Sequence, residues 1–189
     1  MNTLIIGLVY GNRPYNLIHE AAGSKNWKAV NTEGIANALN DGIDLMNEGN
    51  YDSVVFLAND IKMPQNWLKM MQEAIQTYPA AGIVAMPLEQ PVTHVSNQLI
   101  ISNWLMTKDT IDRVGYFNES MFPYGPIDLD YCERCHALGI NTYYVVGPFG
   151  HHIGFHAVGN EYGWDKMQLV AENEKHRYKQ GQNIYKNRL

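Results

Sequence analysis

The chain has 189 residues, 46% hydrophobic and 17% charged, with a formal net charge of −5. That length suits one compact domain rather than two, and an acidic balance gives no sign of a nucleic-acid partner while suiting a site for a divalent cation. Two cysteines make no disulfide framework, no stretch approaches the ~20 apolar residues of a membrane span, and MNTLIIGLVYGNRP lacks the basic start and cleavage site of a secretory leader. The expectation is a cytoplasmic protein with no transmembrane segment.

Leu4 to Tyr10 is an apolar run stopped by Gly11-Asn12-Arg13-Pro14, which reads as a buried strand ending in a turn. Tyr15 to Ser24 fits either a short helix or a second strand, and Trp27 to Val30 fits a short strand. Asn31 or Thr32 then caps a helix that carries Ile35, Leu39, Ile43 and Met46 on one face and ends near Gly49-Asn50. Ser53 to Ala58 is a continuously apolar strand ending at Asn59-Asp60.

Pro64 opens a second amphipathic helix with Trp67, Met71 and Ile75 on its inner face. Gly82 to Met86 reads as a strand, Pro87 to Asn97 as a loop, Gln98 to Met106 as a strand and Thr110 to Val114 as a helical turn. Asp130 to Leu138 is a helix with Gly139 just past its end, and Thr142 to Val146 is the last good strand. Lys166 to Tyr178 reads as helical. Strands alternating with helices, most strands being apolar throughout, predict an α/β domain: a mostly parallel central sheet with helices on both faces.

In such sheets ligands bind beyond the carboxyl ends of the strands. Asp60 lies there, as a turn cap or as a ligand-binding acid. Asp128 and Asp130 precede or open a helix, where acids complement the helix dipole and where they are also available for chemistry. His151-His152 follows the last strand, and two adjacent imidazoles at that edge suggest a metal. A competing set, Cys132 and Cys135 with His152 and His156, loosely imitates a zinc-finger spacing. The sixteen residues between Cys135 and His152 are too many for a standard finger. Cysteines three apart on a helix also serve as buried apolar filler.

Taken together, several blocks resemble family 2 glycosyltransferases of GT-A fold, nearest to rhamnosyltransferase-like members, in a short form. NTEGIANALNDGI resembles the family's N-x-G-hydrophobic-A-x-A-x-N-x-G-I helix. VVFLANDIKMPQNWL resembles its strand, D-x-D-type loop and P-x-x-W-L helix start. DRVGYFNESMF resembles V-G-x-F-D-E-x-F-F, with Asn118 where Asp is usual. YGPIDLDYCER resembles Y-G-E-D-x-D-L-x-x-R with one extra residue, and VVGPFGHHIG resembles the block ending in H-x-G-G. The blocks run from Asn31 to His152, roughly two thirds of the chain.

The resemblance implies a GT-A-like single domain over residues 1–189. Residues 1–60 form a shortened nucleotide-binding half, 61–156 an acceptor and catalytic half, and 157–189 a helical tail. It implies a metal-dependent inverting glycosyltransferase that moves a sugar from a UDP-, GDP- or dTDP-sugar donor to a hydroxyl of an acceptor glycan or similar compound. Asp60 would bind Mn2+ or Mg2+, with His151 as the best match to a further ligand and His152 close behind. Asp128 would be the general base, and Asp130 would orient that site. Tyr10, Asn12, Arg13 and Asn59 would face the nucleotide. Ala58 replaces the first acid of the D-x-D pattern, and Ile127 the acid before the base. The stretch between Pro14 and Trp27 is short for the family's first helix plus second strand. A non-catalytic protein that binds a sugar nucleotide or glycan is the alternative.

Overall fold

The computed structural model describes residues 1–9, 16–23, 25–93, 103–121 and 127–152. In chain order the elements are β1 (Thr3–Leu8), α1 (Asn16–Ala22), β2 (Trp27–Val30), α2 (Ile35–Glu48), β3 (Ser53–Ala58), β4 (Ile61–Lys62), α3 (Trp67–Thr77), β5 (Ala81–Ala85), β6 (Trp104–Thr107), α4 (Lys108–Val114), α5 (Ile127–Ala137), β7 (Asn141–Tyr144) and β8 (His151–His152). Six strands form one sheet in the order β2-β1-β3-β6-β5-β7, and β4 and β8 form a separate small ribbon.

Strands β1, β2, β3, β5 and β7 all point one way, and β6 alone runs against its neighbours β3 and β5. The apolar runs explain this architecture. Side chains alternate between faces along a strand, so a run that is apolar throughout must be covered on both sides. Leu4, Ile6, Val54, Phe56, Trp104 and Met106 face one core, closed by α2, α4 and α5. Ile5, Val55, Val84 and Leu105 face the other, closed chiefly by α3.

The ambiguous stretch after the first turn is helical over Asn16–Ala22, and β2 follows at Trp27–Val30. A seven-residue helix and a four-residue strand therefore fit into the short N-terminal half. They fit because Gly7 on β1 leaves room for the Ile18 side chain; a Cβ there would stand 2.5 Å from Ile18 Cδ1.

Helix starts differ from their expected positions. Helix α2 begins at Ile35 after Gly34, whose φ of 89° no side chain favours, and Thr32 donates to the Asp41 carboxylate instead of capping. Helix α3 begins at Trp67, not at Pro64, behind Asn66 in the left-handed region. Helix α4 begins earlier than expected, at Lys108, because the Thr107 hydroxyl accepts from the Thr110 N–H. Helix α5 begins at Ile127, so Asp128 and Asp130 both lie in its first turn. The expected helix at 166–178 and the first part of the expected strand at 98–106 lie outside the described residues.

Candidate active site

Because five strands are parallel, their carboxyl ends share one edge of the sheet with the start of β6. Asn59 and Asp60 leave β3 at that edge. Helix α5 ends at Ala137 and feeds β7, which joins it to the opposite edge. Its eleven residues span about 16 Å, the depth of the sheet, so its first turn and Asp128 return to the carboxyl edge. Asp60 and Asp128 thus lie on the same side of the sheet, although 68 positions separate them.

The β4–β8 ribbon assembles the nearest pair. It aligns Ile61 with His152 and Lys62 with His151. His152 Nε2 lies 3.5 Å from Asp60 Oδ1, both side chains being mostly buried. His151, one position earlier, faces the other side of the strand, as strand alternation requires. It is exposed, with Nδ1 3.7 Å from Glu89 Oε2. The structure therefore brings Asp60 together with His152 and sets His151 against Glu89.

Asn59 is 3% exposed, and its side-chain Nδ2 has no hydrogen-bond partner among the described residues. Trp104 Nε1, at the start of the neighbouring strand β6, also has no acceptor among the described residues, but its ring is fully enclosed in the core closed by α2, α4 and α5. Buried donors are nearly always satisfied, so the Asn59 amide, at the carboxyl end of β3, suits a ligand that supplies an oxygen. The predicted nucleotide contacts Tyr10, Asn12 and Arg13 lie outside the described residues.

The two acids of α5 sit in different environments. Burial pushes the Asp128 carboxyl above its ordinary range, partly offset by hydrogen bonds from backbone N–H groups of Leu129 and Asp128 itself. Asp130 accepts from Arg134 Nε at 3.0 Å. That guanidinium also donates to the Val114 carbonyl and lies 4.6 Å from the centre of the Tyr131 ring. Asp130 is thus tied into the packing of α5.

Cys132 and Cys135 are buried in the core closed by α2, α4 and α5. Burial pushes the Cys135 thiol up to about 12, against the thiolate that zinc requires. The cysteines fill the core. His152 is instead drawn to Asp60, and His156 lies outside the described residues.

The Asp60 carboxylate is the kind of donor that Mg2+ or Mn2+ takes, completing its shell with substrate phosphates and water, while the His152 imidazole is a softer donor that suits Mn2+ better than Mg2+. Among the described residues no group of three or more His, Cys, Asp or Glu is placed to hold a metal. Asp60 and His152 together offer two donors. A cleft of about 380 Å3 lies between α1, Lys62 of β4 and the start of α3, and neither Asp60 nor His152 lines it. Among the described residues no helix is long and apolar enough to cross a membrane.

No sequence-family profile and no curated protein matches the chain. Solved structures do. The mannosyltransferase PcManGT from Pyrobaculum calidifontis, in complex with GDP-Man and Mn2+, superposes with a TM-score of 0.60 at 14% identity, over 89% of this chain and 60% of that one. A Drosophila β1,4-galactosyltransferase 7 mutant, in complex with manganese, UDP-Gal and xylobiose, gives 0.56 at 12%, over 88% and 79%. The protein A197 from STIV gives 0.57 at 12%, over 77% and 82%. At such identities the likeness establishes the fold. It is a GT-A-like α/β domain.

Proposed function

We propose that this protein is a metal-dependent, inverting glycosyltransferase that uses a nucleotide-diphosphate sugar. The observation that carries the reading is the Asp60–His152 pair at the carboxyl end of β3. It is closed by a two-residue ribbon that joins segments 90 positions apart. The glycosyltransferase structures of like fold, which hold Mn2+ with UDP-Gal or GDP-Man, support it.

Asp60 and His152 would hold Mn2+ or Mg2+; when bound, such an ion offsets the charge that develops on a departing diphosphate. Asn59, with its unsatisfied buried amide, would donate to the nucleotide, joined by Tyr10, Asn12 and Arg13. Residues 1–60 would carry the donor and 61–156 the acceptor. Asp128 would take the proton of the acceptor hydroxyl as that oxygen attacks the anomeric carbon. The new carbon–oxygen bond forms on one face while the bond to the diphosphate breaks on the other, which inverts the centre. A carboxylate whose affinity for protons is raised by burial suits this task better than an ordinary one. Asp130, held by Arg134, would keep the first turn of α5 in place.

Calorimetric titration with UDP, GDP, dTDP and CDP, with and without Mn2+, tests the reading. One diphosphate should bind in a metal-dependent way, at least tenfold more weakly in Asp60→Ala. If none binds under either condition, the proposal fails. The alternative, a binder without turnover, draws on Ala58 and Ile127, which stand where acids are expected. Asp128→Asn discriminates: in an enzyme it should remove turnover and leave donor affinity intact, whereas a binder has no rate to lose.

A further inference from the structure

Glu89 stands in the segment after β5 with a φ of 67°, in the left-handed region that side chains other than glycine rarely adopt. Such a conformation persists only where its surroundings over-determine it, and here they do. The Glu89 N–H donates to the Gly150 carbonyl at 2.9 Å, and the Gly150 N–H donates to the Pro87 carbonyl at 2.9 Å. Leu88 bridges Gly150 in the parallel sense. Gly150 is itself closely surrounded: a Cβ there would stand 3.0 Å from the Lys62 carbonyl oxygen and 3.1 Å from Leu88 Cδ2. Three segments (61–62, 87–89 and 150–152) therefore meet at one point.

The Glu89 carboxylate grips the last of them at two places. Oε1 accepts the backbone N–H of His152, and Oε2 faces His151 Nδ1 at 3.7 Å. A ribbon of two residues per strand is too short to hold its own geometry, so something outside it must fix the register. We infer that Glu89 is a positioning residue: its carboxylate holds β8 against β4 and so sets His152 beside Asp60. The consequence for metal affinity rests on the function proposed above; the structural role does not.

The test uses the full chain with Glu89→Ala, Glu89→Gly and Glu89→Gln. Glycine relieves the positive φ while removing the side chain, so a loss in that variant cannot be assigned to backbone strain. Glutamine keeps an oxygen that accepts from His152. Without metal, the His152 amide should exchange at least tenfold faster in the Ala and Gly variants, and the His152 imidazole nitrogen resonances should move. Amides of β1 and β3 should keep their protection, and Glu89→Gln should restore both His152 signatures. A His152 amide and imidazole unchanged in Glu89→Ala and Glu89→Gly overturn the inference. Mn2+ affinity, read by electron paramagnetic resonance with the nucleotide present, should fall ten- to a hundredfold in the Ala and Gly variants, the usual cost of losing an outer-shell partner. Unchanged affinity there, in a protein whose wild type binds the ion, also overturns it. If the wild type binds no Mn2+ while the His152 signatures still shift, the proposed function fails and the positioning role stands.

Discussion

Burial has a cost for Asp128 that its proposed task repays. Its carboxyl is raised above 3.8 chiefly by desolvation, so the folded protein holds that proton more tightly than the unfolded chain. The associated stability is fully present below the ordinary carboxylate range and is lost as pH rises through the raised value. At neutral pH the ionised side chain therefore weighs against the fold. Asp128→Asn should lower turnover by about 10²–10⁴, as for loss of a general base. The same variant should melt at the wild-type temperature or up to a few degrees above it at pH 7. That gain should vanish at pH 3, where the wild-type carboxyl is already neutral. Thermal unfolding at the two pH values checks the sign. A variant clearly less stable than wild type at pH 7 would mean that the backbone hydrogen bonds to the carboxylate outweigh its burial.

At the scale of elements, α2 explains what the N-x-G part of its sequence block does. Asn40 is 5% exposed on a helix face that otherwise carries Leu39, Ile43 and Met46. Its Oδ1 accepts the Phe117 N–H and its Nδ2 donates to the Phe117 carbonyl, so it clamps the segment between α4 and α5 to α2. Phe117, held there, stacks on Tyr131 of α5 at 4.2 Å between ring centres. The link leads to the helix that bears Asp128. Gly42, two residues on, lets α2 close on the sheet: a Cβ would stand 2.5 Å from Phe56 Cε1 and 3.2 Å from Ile6. Alanine is the better helix former by about 1 kcal/mol, but overpacking a filled core costs about 1–3 kcal/mol. Gly42→Ala should therefore destabilise by about 1 kcal/mol, a fall of about 2–4 °C in melting temperature for a chain of this size. A rise in melting temperature would show that the core yields more easily than its contacts imply.

At the scale of the molecule, the proposed site draws on segments that the chain keeps far apart: β3 and its turn, the 87–89 segment, the start of α5, and β8. A ligand that bridges them binds only the folded state. At a hundred times its dissociation constant it stabilises by about 2.7 kcal/mol. Mn2+ with the cognate diphosphate at that concentration should raise the melting temperature by about 5–10 °C. His152→Ala should remove most of that rise while leaving the apo melting temperature nearly unchanged. An equal rise in the variant would mean that His152 does not hold the ion.

The apolar runs at 3–8 and 53–58 and the amphipathic periods of α2 and α3 determined the layered α/β fold by themselves, because burial on two faces or on one helical stripe is written in local spacing. Asp60 could likewise be read as an edge residue, since a parallel sheet puts every strand's carboxyl end on one side. Helix starts were less legible: a residue such as Gly34, Asn66 or Thr107 acts as a cap only through the backbone angles and partners that the fold gives it. Which histidine meets Asp60 was not legible at all. Adjacent histidines look alike in sequence, and their opposite outcomes depend on the register of a two-residue ribbon. That register is fixed by Glu89 and Gly150, whose contacts form only when segments some 60 to 90 positions apart have packed together.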